Sequence, residues 1–217
     1  MAASSEFIIL GVTKVGEKAL VLHTLSADWG RRSFLVTVGR NAPMALFLPL
    51  SIIDAEVSEN PRSELWRLRN ITSSAPLAGI RNSPSKNAMT MFMSEVLLRT
   101  VHDGESEPGL CEWCRRSVLT LDALSDDFSN YHLRFLFEFA AALGFSPSTE
   151  DLAPFAGRHL STLGELLKAD FAGFMLYPLS GAARNELAGI LLDYIGFHCE
   201  SRLNIRSLKV LRELFGN

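Results

Sequence analysis

The stretch from Glu6 to Gly39, EFIILGVTKVGEKALVLHTLSADWGRRSFLVTVG, decides the fold. It predicts three strands joined by two short turns. Phe7–Leu10 is an apolar run, and Lys14, Gly16 and Lys18 mark a polar turn. Ala19–Leu25 is rich in β-formers, Ser26–Gly30 is a second turn, and Arg31–Val38 is β-rich again. In that third segment Phe34, Val36 and Val38 share one face and Ser33, Leu35 and Thr37 the other, the period of a half-buried strand.

Asn41-Ala42-Pro43 breaks the pattern, and Phe47–Val57 predicts a fourth strand with Pro49 near its start, where a missing donor is tolerated. Glu59-Asn60-Pro61 turns the chain into a fifth strand, Leu65–Ile71. Its alternation is imperfect: Trp66 and Leu68 share one face, while Leu65 and Ile71 fall with Arg67 and Arg69, so its facing stays open. Five short antiparallel strands in about 75 residues predict a small closed barrel, of the OB type or SH3-like.

The chain changes character at Ala75. Ser83-Pro84-Ser85 is a helix-start signal, and Met89, Phe92, Met93, Val96 and Thr100 follow at helical spacing. Leu110–Leu124 predicts a second amphipathic helix between the polar breaks Asp103–Pro108 and Asp126–Asn130. Tyr131–Leu143 is apolar almost all round and predicts a buried central helix ended by Gly144. Leu163–Leu167, Ala182–Cys199 and Ser207–Leu214 predict further helices. The expected organisation is therefore α+β, a β-barrel domain over residues 1–76 followed by an α-helical domain over 77–217.

With 47% hydrophobic and 21% charged residues, the 217-residue chain has the composition of an ordinary globular protein. The net charge of −3 argues against nucleic-acid affinity from bulk charge, but residues 1–80 carry a net +1 and the rest −4, so what positive potential exists lies on the β part. Met-Ala-Ala-Ser-Ser lacks the basic start and apolar core of a secretory signal. The most apolar runs, Ala88–Leu98 and Tyr131–Leu143, each carry charge and are too short to span a bilayer. Three cysteines make no disulfide framework, and a reduced cytoplasmic protein is expected.

Cys111 and Cys114 have metal-ligand spacing, but a structural zinc site needs four ligands and Cys199 is the only other cysteine, so packing thiols are expected. Gly144-Phe-Ser146-Pro-Ser148 lacks the second glycine of a nucleophile elbow, the five histidines are scattered, and no phosphate-binding glycine loop occurs. No enzyme is expected; a triad dispersed in sequence is the alternative. The basic residues of the β part are Lys14, Lys18, Arg31, Arg32, Arg40, Arg62, Arg67 and Arg69, with Trp29, Phe34 and Trp66 nearby. Small barrels bind single strands through such cations and stacking aromatics, whereas the bland reading is solvated charge and core rings. Arg134 and Glu138 are the charged residues of Tyr131–Leu143; they are placed either to pair at i,i+4 or to present a cation beside an apolar cleft.

The order and spacing of these pieces resemble the RecO family. Ala19-Leu-Val-Leu-His23-Thr-Leu25, Trp29-Gly-Arg31, Phe34-Leu-Val36 and Gly39-Arg40 resemble its first barrel strands, and Leu48-Pro49-Leu50 its next. Leu133-Arg134-Phe135 with Leu143-Gly144-Phe145 resembles its central helix, and Arg202–Leu214 its closing motif. The resemblance implies an OB-type barrel followed by a helical domain, and a non-enzymatic mediator of DNA repair and recombination. It implies binding of single- and double-stranded DNA, annealing of complementary strands, and recombinase loading with RecR on strands coated by single-stranded-DNA-binding protein (SSB). It further implies capture of the acidic, Phe-ended SSB tail, with Arg134 matching a family residue of that pocket and Phe135 adjoining it.

Lys14, Lys18, Arg31, Arg32 and Arg40 are the expected phosphate contacts. Residues 145–185 contain no cysteine, so the zinc module of many members is not expected, nor any cofactor. The family's basic cluster after the third strand is reduced to Arg40. That depletion supports the alternative of a protein-interaction adaptor with little direct DNA binding.

Overall fold

Alternating inward residues and two turns place the first three strands next to one another. The computed structural model describes residues 4–39, 43–61, 63, 65–104 and 109–215. The strands are β1 (Ser4–Val15), β2 (Ala19–Ser26), β3 (Gly30–Thr37), β4 (Ile52–Ser58) and β5 (Trp66–Ser73). They close as β1-β2-β3-β5-β4, with β4 returning to β1 and β5 lying parallel to β3, the five-stranded OB arrangement. Phe7, Ile9, Leu20, Leu22, Phe34, Val36, Ile53 and Leu68 fill the interior, where Phe7 meets Phe34 edge-on at 5.3 Å.

Three strand details differ from expectation. β1 extends beyond Leu10 to Val15, because the exposed segment after Gly11 still pairs with β2 until Gly16 turns the chain at φ 70°. β4 begins at Ile52 instead of Phe47, since Met44–Phe47 coil into a 3-10 turn and Leu50 adopts φ 56°. In β5 the pairs Glu56↔Arg69 and Asp54↔Thr72 leave two residues opposite Ala55, a bulge at which Asn70 sits at φ 52°. The bulge resets the alternation: Leu68 points in, Arg67 and Arg69 point out, and Ile71 returns to the core side.

The helices are α1 (Ala78–Arg81), α2 (Pro84–Thr100), α3 (Leu110–Ala123), α4 (Tyr131–Ala142), α5 (Thr149–Ala156), α6 (Leu160–Lys168), α7 (Phe171–Leu176), α8 (Gly181–His198) and α9 (Leu208–Phe215). The expected starts and stops operate. Ser83 Oγ accepts from the Lys86 amide at 3.3 Å with Pro84 as the first helical residue, and Gly144 at φ 91° follows α4. Three helices were not expected, the single turn α1 and the longer α5 and α7. The latter two are started by side-chain caps, Ser148 with Asp151 in a capping box and Asp170 on the Gly173 amide at 2.7 Å.

The chain forms two compact units. One comprises Met1–Ala78 and Ser94–Leu119, the other Gly79–Met93 and Thr120–Asn217. In the first, Gly11 has no side chain where Leu98 approaches; a Cβ there would stand 3.1 Å from Leu98 Cδ2. Glu6 accepts from Ser74 at 2.7 Å and Arg115 at 2.9 Å. In the second, α4 is buried on most of its surface and packs on α8. Among the described residues no helix is long and apolar enough to cross a membrane.

Candidate nucleic-acid interface

The parallel seam between β3 and β5 is short. Among the described residues it pairs Phe34 with Trp66 and Leu35 with Arg67, after which the strands part. The parting leaves a groove of about 540 Å³ between residues 35–39 and 67–71, with Leu46 and Phe47 at its side. Its floor is apolar, from Val36, Phe47 and Leu68. Its margin is cationic, because alternation on either side of the inward Leu68 aims Arg67 and Arg69 at solvent. The Val38 amide donates to the Lys18 carbonyl at 2.9 Å, which brings the exposed β1–β2 turn, with Lys14 and Lys18, to the same end of the barrel. Glu17 of that turn and Glu56, the cross-strand partner of Arg69, are opposing charges at this surface.

Arg31 and Arg32 lie at the other end of β3, some six residues and roughly 20 Å from Val38. The structure thus divides the expected cations between two places. Arg31 is only 13% exposed and is paired with Asp103, whose loop also donates the Gly104 amide to the Arg31 carbonyl at 2.9 Å. Arg32 lays its guanidinium over the Trp66 ring at 3.6 Å, and Trp29 meets Trp66 edge-on at 5.3 Å. Beside them opens a cleft of about 430 Å³ lined by Trp29, Arg32, Ser33, Leu65, Asp103 and Gly104. Ser33 is bonded to His23 Nδ1 at 2.8 Å, and burial, with the Arg31 charge, lowers the pKa of that histidine. Arg40 and Arg62 lie outside the described residues.

In the helical unit Arg134 pairs with Glu138 at 2.6 Å, the i,i+4 arrangement, and remains 26% exposed. Its guanidinium also stands 5.5 Å from the centre of the Phe174 ring. Phe135 is 1% exposed and stacks on Phe139 at 5.8 Å, so a surface role for it is indirect, through the placing of its neighbour. On α7, the helix that carries Phe174, Phe171 and Leu176 are 38% and 64% exposed.

Cys111 and Cys114 lie one turn apart on α3. Burial raises Cys111 to about 11, with Glu6 and Asp28 adding to the effect, and raises the fully buried Cys114 further. Among the described residues no group of three or more His, Cys, Asp or Glu is arranged to hold a metal ion.

The residues that sequence reading left unassigned are Arg67, Arg69, Trp29 and Trp66. Their types were visible; their placement depends on which strand β5 joins.

No family model matches the chain. Curated relatives do. The DNA repair protein RecO of Phocaeicola vulgatus is 30% identical, with 96% of this chain and 97% of the relative covered. The DNA repair protein RecO of Bacteroides fragilis is 27% identical over the same shares, and that of Flavobacterium psychrophilum 26% identical over 99% and 100%. Likeness of that extent, over both the five-stranded barrel and the helices, shows that the chain belongs to the RecO family of DNA repair proteins.

Proposed function

We propose that this chain is a non-enzymatic, cytoplasmic mediator of DNA repair and recombination. It binds single- and double-stranded DNA through the barrel, anneals complementary strands and, with RecR, helps load recombinase on SSB-coated strands. The observation that carries the reading is the β3–β5 groove with its cationic margin, in a chain of the RecO family. Annealing requires neutralised backbones and stacked bases, with no bond made or broken. In this reading Lys14, Lys18, Arg67 and Arg69 meet phosphates along the groove. Arg31 and Arg32 serve the other end of the site, with Arg40 beside the groove in sequence.

Fluorescence anisotropy with labelled DNA at two salt concentrations tests it. Arg67→Ala combined with Arg69→Ala should lower affinity and flatten the salt slope by about two, one for each phosphate left without its arginine. An unchanged slope removes the groove from the interface, and salt-insensitive or absent binding by the intact protein favours the adaptor role.

Arg134 is the proposed ligand for the carboxylates of the SSB tail, with the exposed apolar side chains of α7 receiving its apolar end and the buried Phe174 holding Arg134 in place. The Glu138 carboxylate competes for the same guanidinium. Arg134→Ala should therefore weaken a tail peptide about tenfold or more, while Glu138→Gln tightens it, and neither should change DNA affinity. Equal peptide affinity in all three proteins would reduce Arg134 to its intrahelical pair.

A further inference from the structure

We infer that the cleft at the start of β3 is a stacking site for one unpaired nucleobase, and that it gives the barrel a preference for single strands over duplex. This rests on the reading that the barrel binds DNA, and adds to it a ligand chemistry that the groove does not supply.

Phosphate is a poor fit to this cleft. The guanidinium that lines it, that of Arg32, lies flat against Trp66, and the neighbouring Arg31 is already paired with Asp103. The Asp103 side chain is 64% exposed and adds negative charge to the wall, which repels a phosphate. The same carboxylate accepts hydrogen bonds from the amino or imino edge of a base. What remains is planar surface. The half-buried Trp29 and Trp66 rings cross at 84°, the Arg32 guanidinium covers Trp66, and the whole array is fixed from beneath because both rings pack on the barrel core. A rigid wall made of the Trp29 ring and the Arg32 guanidinium, backed by Trp66, in a cleft of about 430 Å³ has the shape and electronic character of a base-stacking site. Bases within a duplex have both faces covered by their neighbours, so only a single strand can supply the ligand. The cleft lies roughly 20 Å along β3 from the phosphate-lined groove, which a single strand of the usual OB-fold site size, about 4–16 nucleotides, can span.

Tryptophan emission reads this site directly. The chain has three tryptophans, and the third, Trp113, is 7% exposed on α3. Addition of an oligo-dT strand should quench emission in step with the anisotropy rise. An abasic strand of the same length should bind without quenching, and five- to a hundredfold more weakly, on the order of the effect of one stacked base. Arg32→Lys preserves the charge and removes the planar group, so it should lower affinity for oligo-dT and narrow its advantage over the abasic strand. Trp29→Phe keeps a stacking face on the wall and should retain most of the preference. Equal affinity for dT and abasic strands with no quenching would overturn the cleft and leave DNA binding by the barrel intact. Binding to no DNA in the anisotropy channel would overturn both.

Discussion

Asn130→Ala is expected to lower the stability of the helical unit by about 3 kcal/mol, with a fall of roughly 6–12 °C in Tm for a chain of this length. Asn130 precedes α4 but makes no capping bond with its side chain. Its amide nitrogen instead donates to the carbonyls of Phe174, Met175 and Tyr177 at 3.1, 3.2 and 2.8 Å. These are acceptors at the end of α7, where the Tyr177 amide also reaches the Phe174 carbonyl at 3.3 Å. Asn130 is 1% exposed, so water does not readily replace the missing N–H groups, and the alanine variant takes this donor from the Met175 and Tyr177 carbonyls. Asn130→Asp keeps the size, removes both donors and points a carboxylate at the same oxygens, and should cost more. Thermal unfolding followed by circular dichroism decides the matter. A shift below about 2 °C for the alanine variant would mean that α7 is held by its apolar packing alone.

The second large effect is a loss of stability in acid traced to His132. Its ring is buried between Phe92, at 6.1 Å edge-on, and Phe215, at 6.5 Å nearly parallel. Burial lowers its pKa to about 4, helped by the Arg184 charge and opposed by a bond to the Ser129 backbone. The unfolded chain takes up a proton on this residue below pH 6.5 and the folded chain only near pH 4. Stability present above pH 6.5 is therefore lost as the pH falls through that window. The drop is about 3 kcal/mol for this group at the acid end. Urea unfolding at about pH 7.5 and about pH 4.5, compared between the native chain and His132→Leu, isolates the effect from the carboxylates common to both. Parallel pH dependences in the two proteins would refute it.

Much of the barrel was legible in the sequence because its cues are local. Phe34, Val36 and Val38 alternate, Gly16 and Gly30 turn the chain, and the resulting strands pair in order. β5 was not legible to the same degree. Its alternation breaks where Asn70 adopts a left-handed conformation, and a bulge is defined only against the partner strand. The same non-locality limited the reading of the site. Arg31 is 72 positions away from the carboxylate that engages it, and Arg67 gains its place on the groove from a strand order that the sequence does not spell out. Conversely, the Arg134–Glu138 pair was readable because a helix alone puts i and i+4 together, whereas the ring of Phe174 beside it belongs to a helix far along the chain. α5 and α7 escaped notice as helices of eight and six residues, too short for an apolar period to stand out.

The brevity of the β3–β5 seam has a mechanical consequence. Every other junction of the barrel is an antiparallel ladder of five or more residue pairs, while among the described residues this one rests on two. Local opening begins where the fewest bonds hold the backbone. The barrel is in effect a cuff with a single weak clasp, and the clasp lies at the head of the groove. Unfastening it lengthens the channel toward Trp66 while the ladders that hold the rest of the cuff stay shut. Amide hydrogen exchange along Phe34–Leu35 and Trp66–Arg67 should accordingly be faster than along the β1–β2 hairpin.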